Sequence, residues 1–152
     1  MGLLEKVKEL GLDWPAVPAA VGSYVPASAG GNLIFTSGQL PLKNGVLTAC
    51  GKVSVAVPLD VAQAAAAQAV LNCLAAAAGA AGSPDNIARI IRMNVYVNSS
   101  AGFADQAKVA NGASDLLIKL FGQAGRHTRC AVGVAELPLN APVEIDLVVE
   151  RK

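Results

Sequence analysis

Apolar residues recur along this chain with two spacings, and the switches between them divide it into elements. In the opening MGLLEKVKELG, leucine and valine interleave with glutamate and lysine, the mark of a short amphipathic helix. This predicts a helical segment over residues 1–14, set before a single domain over 15–152. Two prolines in Asp13–Pro18 make a turn or linker, and a strand is expected to begin between Tyr24 and Ala27. Gly30-Gly31 turns into Asn32–Thr36, a β-branched and aromatic strand that exits at Ser37-Gly38-Gln39. Lys43-Asn44-Gly45 reads as a hairpin tip, because Asn-Gly tolerates positive φ, and a short strand follows near Val46–Ala49.

Pro58-Leu59-Asp60 opens an alanine-rich helix that Gly79 and Gly82 close, and Ser83-Pro84-Asp85 forms the next turn. Period two returns at Ile90–Val97, where Ile91, Met93, Val95 and Val97 alternate with Arg92, Asn94 and Tyr96. A second helix spans Phe103–Phe121 on a stripe of Val109, Ala113, Leu116, Leu117 and Leu120, and Gly122 and Gly125 end it. Two strands finish the chain, Thr128–Val134 and Val143–Val149, joined through Leu137–Pro142. The order predicts an α+β fold with both helices on one face of the sheet. The other face must be polar or covered by a partner.

Composition favours a covered face. Hydrophobic residues make up 53% of the 152 and charged ones 15%, which excludes disorder and leaves apolar surface to bury against other subunits. The formal net charge of +1 gives no footprint for nucleic acid. Val61–Ala81 carries no charge and has the length of a membrane span, but its alanines and Gln63, Gln68 and Asn72 suit a packed core helix better. Cys50, Cys73 and Cys130 have unrelated spacings and read as reduced, packing thiols of a cytoplasmic protein. No His/Cys/Asp/Glu cluster has metal-ligand spacing, and no nucleophile–base pair stands out.

The candidate chemistry gathers near the C-terminus. Arg129 opens one apolar strand and Glu144 lies inside the next: a fixed cation and a semi-buried carboxylate, able to hold a small carboxylate substrate and steer water at it. If these strands form a plain hairpin, Glu144 faces Val132–Val134, roughly 10 Å or more along the strand from Arg129. A shared site then needs a different strand order or two subunits. His127, the only histidine, reads as a surface or interface residue. Cys130 should point away from the Arg129 side of its strand.

Gly22-Ser23-Tyr24, Asn32–Pro41, Val95-Tyr96-Val97 and the block from Arg129 to Glu144 together resemble the RidA/YjgF family, also called the L-PSP endoribonuclease family. The resemblance implies a chorismate-mutase-like fold with a mixed sheet, and a homotrimer with clefts between subunits. It also implies cofactor-free hydrolysis of 2-imino and 2-enamino acids, such as 2-aminoacrylate, to 2-keto acids and ammonia. Arg129 falls on the family's carboxylate-binding arginine and Glu144 on its water-orienting glutamate. Tyr24, Ser37, Gly38 and Asn111 fall on cleft-lining positions. Where the family's deaminases usually carry cysteine this chain has Ala131, with Cys130 one position early. Arg126-His127-Thr128 replaces a common aromatic-proline step. Two other functions fit the fold: a non-catalytic trimer that binds small carboxylates, and the endoribonuclease of the family's name. A single histidine and near-neutral charge disfavour the last.

Overall fold

The computed structural model describes all 152 residues. Helix α1 spans Leu3–Glu9, shorter than residues 1–14, and buries Leu3 and Val7. The chain then turns at Gly11 (φ 70°) and runs without regular structure to the first strand. Strand β1 is Ala27–Gly30, so Tyr24–Pro26 lie before it and not within it. Strand β2 is Leu33–Thr36, and Gly31 at φ 61° allows the tight turn between the two. Strands β3 (Leu42–Lys43) and β4 (Val46–Leu47) form a separate two-stranded ribbon. Its tip has Asn44 at φ 52° and Gly45 at φ 80°, as the Asn-Gly pair predicts.

Helix α2, Leu59–Ala81, is mostly buried, so its apolar length reflects a core position. Gly82, left-handed at φ 82°, ends it. Gly79 does not; it lies inside the helix, where an added Cβ would meet Val17 Cγ1 at 3.1 Å. Strand β5 spans Ile87–Asn98, helix α3 Gln106–Phe121, strand β6 Thr128–Val134 and strand β7 Val143–Arg151. The main sheet runs β1-β2-β7-β5-β6, with β5 and β6 parallel and its other pairs antiparallel. A parallel pair needs a crossover, and α3 supplies it. The last two strands are therefore no hairpin: β5 lies between them. Asn98, fully buried at the end of β5, secures the connection that passes around it by donating to Asn140 Oδ1 and Ala141 O, both at 3.1 Å.

Both long helices pack on one sheet face, against Met93, Val95 and Val97 of β5 and Val143, Ile145, Leu147 and Val149 of β7. Ile91 departs from the simple alternation. Register shifts between Ile87 and Arg89 and between Ile90 and Arg92 put Ile90 in the core and leave Ile91 half-buried. The opposite face carries Phe35, Asn94, Tyr96, Val132, Glu144 and Asp146, with Phe35 48% and Val132 41% exposed.

Helices α2 and α3 approach to backbone contact at Gly112, where a Cβ would lie 2.1 Å from Gln63 O. Gly112→Ala should gain about 1 kcal/mol of helix propensity. It must also force the helices apart, at about 1–3 kcal/mol or more. Overpacking should win, seen as a lowered urea midpoint with an unchanged slope. An equal or higher midpoint would show that the helices can yield there.

Candidate functional site

The expected residues fall into two groups on opposite faces of the sheet. The first gathers around Glu144. From Phe35 to Gln39 the chain spends four residues where β7 spends three, from Val148 to Ile145, so one extra residue bulges at Ser37-Gly38. The bulge brings Gly38 against Glu144: an added Cβ would lie 2.1 Å from Oε1 and 2.9 Å from Cδ. Only glycine leaves room for this carboxylate. Ser37 Oγ donates to Val25 O at 2.6 Å, and its N–H to Pro26 O at 2.8 Å, tying the Tyr24 loop to the same place. Tyr24 is about half exposed, not packed in the core, and its hydroxyl accepts from the Val21 N–H at 3.3 Å.

Burial, and then repulsion from Asp146, raise the Glu144 pKa above the usual carboxylate range. Its neighbour across the strand pair is Tyr96, whose phenol is also pushed up by burial and then by Asp146. Asn94 Nδ2 donates to Asp146 Oδ1 at 2.9 Å, completing a polar strip. Tyr96 and Asp146 were readable only as the polar phase of their strands. Their nearness to Glu144 comes from register.

The second group surrounds Arg129, half-buried on β6 at the edge of the helix-covered face, opposite Met93. Its Nη1 donates to Asn111 Oδ1 at 2.8 Å and Ser114 Oγ at 3.1 Å, both on α3. Asn111 is thus a partner of the arginine and not a locally bonded helix residue. No carboxylate pairs with Arg129 within 4.0 Å. Together with Ser114, Ile118, Arg126 and His127 it lines a shallow cleft of about 180 Å³. His127 is half-buried with both ring nitrogens bonded, Nδ1 to Gly125 O at 2.6 Å and Nε2 to Ser114 Oγ at 3.0 Å. A serine–histidine pair that linear spacing could not reveal therefore stands beside Arg129.

Within one chain the two groups do not meet. Glu144 is level with Tyr96 and Val132, three residues from Arg129 and two strands away, about 14 Å by strand geometry. Cys130 is exposed on the Glu144 face and Ala131 packs against the core on the Arg129 side. The packing role expected of all three cysteines fits only Cys73, which is fully buried, its thiol pKa pushed strongly upward by desolvation. Cys50 and Cys130 are exposed because they lie outside the helix–sheet core.

A family model described as "YjgF/chorismate mutase-like, putative endoribonuclease" matches residues 5–151. The chain belongs to the YjgF/RidA family. Protein TCP17 of Trypanosoma cruzi is 42% identical over 147 residues, 95% of this chain and 91% of that one. The 2-iminobutanoate/2-iminopropanoate deaminase of Dermatophagoides farinae is 28% identical over 135 residues, 89% and 91% of the two chains. Among solved structures, Atu1372 of Agrobacterium tumefaciens, of unknown function, has 41% identity and a TM-score of 0.91 over 99% of this chain and 92% of its own. Serine-bound TdcF of Escherichia coli has 29% identity and a TM-score of 0.65 over 90% and 94%. The chorismate-mutase-like α+β fold is thereby established, and imine deamination belongs to the more distant relatives.

Proposed function

We propose that this YjgF/RidA member is a cytoplasmic, cofactor-free hydrolase of small 2-imino and 2-enamino acids, working at clefts between the subunits of a homotrimer. Arg129 binds the substrate carboxylate and Glu144 orients and deprotonates water. Tyr24, Ser37 and Gly38 shape the Glu144 side, and Asn111 holds the arginine. Cys130 and Ala131 border the bound substrate from β6. The reading rests on one observation above others: each half-site is incomplete, with an arginine lacking an acid on one face and a raised-pKa glutamate on the other. A second copy that brings the two faces together completes both. It also covers Phe35 and Val132. The chemistry asks little more, since an iminium carbon is already electrophilic and positioning with a modest base suffices.

Co-expression of Arg129→Ala and Glu144→Ala chains tests this directly. Each homotrimer should release ammonia from freshly generated 2-aminoacrylate at no more than about a hundredth of the wild-type rate. In random mixed trimers about one quarter of interfaces pair an intact Arg129 with an intact Glu144, so about one quarter of wild-type activity should return. No recovery in mixed trimers whose wild-type counterpart is active would place the whole site in one subunit and overturn the composite cleft. Gly38→Ala should cost about a hundredfold in turnover, because displacing the base by even 1 Å is enough. Its melting temperature should barely move, since the clashing partner is the end of a flexible side chain. A wild-type rate would show that Glu144 need not sit where it does.

A further inference from the structure

We infer that Ser114 and His127 are positioning residues that set the orientation of the Arg129 fork, an inference that rests on Arg129 as the carboxylate-binding residue. For a neutral His127 ring the hydrogen bonds have only one consistent direction. Gly125 O is a carbonyl and can only accept, so the proton of the neutral imidazole lies on Nδ1, which donates at 2.6 Å. Nε2 is then a bare acceptor, and the single Ser114 hydroxyl proton goes to it across 3.0 Å. That leaves the Ser114 lone pairs to accept from Arg129 Nη1 at 3.1 Å, while the second Nη1 proton goes to Asn111 Oδ1 at 2.8 Å.

Both protons of one terminal guanidinium nitrogen are thereby tied to α3. The free edge is the one formed by Nε and Nη2, whose parallel N–H bonds match the two oxygens of a carboxylate. Ser114 is 8% exposed, and His127 Nε2 is the acceptor within reach of its hydroxyl proton. The backbone at Gly125 is equally set: a Cβ there would lie 2.2 Å from Leu117 O, so the loop packs directly on α3 and carries the histidine with it. A serine without the histidine could rotate its proton toward Arg129 and repel it. With the histidine it cannot.

The test measures pyruvate affinity and steady-state imine hydrolysis in Ser114→Ala, His127→Leu and His127→Gln, with Arg129→Ala as reference. Ser114→Ala and His127→Leu should weaken pyruvate binding and raise the apparent KM about tenfold, with kcat within about twofold. His127→Gln, whose amide oxygen can accept from Ser114, should restore most of that loss, which a merely structural role would not predict. In the wild-type protein the ¹⁵N shifts of the neutral ring should report the proton on Nδ1 and none on Nε2. If Arg129→Ala abolishes pyruvate binding while Ser114→Ala and His127→Leu, folded by circular dichroism, leave it unchanged, the relay is overturned and the carboxylate clamp stands. An opposite tautomer also overturns it. Unchanged pyruvate affinity in Arg129→Ala would instead remove the underlying site.

Discussion

Arg129→Ala is expected to lower kcat/KM for imine hydrolysis by about 10²–10³-fold while leaving the melting temperature nearly unchanged. A charge-assisted bidentate contact whose partner would be left buried is worth roughly 2–5 kcal/mol, and 10²–10³-fold falls in the middle of that span. The fold should tolerate the change, because Arg129 sits on an edge strand, half-buried, and makes no ion pair within its own chain. Arg129→Lys separates charge from geometry. An ammonium cannot bond Asn111 and Ser114 and also present two parallel donors, so about tenfold at most should be recovered. Ammonia release and a thermal melt on the same preparations decide the matter. A rate within threefold of wild type in Arg129→Ala would remove the carboxylate clamp from the mechanism.

Glu144→Gln should cost about 10²–10³-fold in turnover, the usual worth of a general base, and yet stabilise the protein at neutral pH. The sign follows from linkage. The folded-state pKa of Glu144 lies above its ordinary value of 4.5, so between those two values the folded protein holds a proton that the unfolded chain has lost. Stability therefore falls as pH rises through that window, and above it the ionised carboxylate is a standing cost. Glutamine keeps the shape that fits over Gly38 without the charge. The melting temperature of Glu144→Gln should exceed wild type at pH 7.5 and match it near pH 4, below both values. Wild-type kcat/KM should lose its base on an acid limb lying above the ordinary carboxylate range. Equal stability at pH 7.5, or an acid limb near 4, would mean that burial does not perturb this group.

Much of the fold was legible because local chemistry is decided within a few residues. Asn44-Gly45 specified its turn, and the alanine run from Leu59 specified a helix. Where expectation failed, a longer-range influence had intervened. Ile91 is the extra residue of a bulge on β5 and yielded its place in the core to Ile90, and Gly79 lies within α2 with Val17 against its open side.

The site divides in the same way. That Arg129 is a cation at the start of an apolar strand and Glu144 a carboxylate inside one follows from composition and alternation alone, since side chains on a strand must take one face or the other. Which faces those are, and who stands beside them, does not. Strand order is a contest among non-local pairings, and β5 won the place between β6 and β7. That result put Arg129 and Glu144 on opposite faces, set Tyr96 beside Glu144, and left His127 within reach of Ser114 across thirteen residues of chain. Residue identity determined what chemistry was on hand; only the packing of distant segments decided which groups could meet.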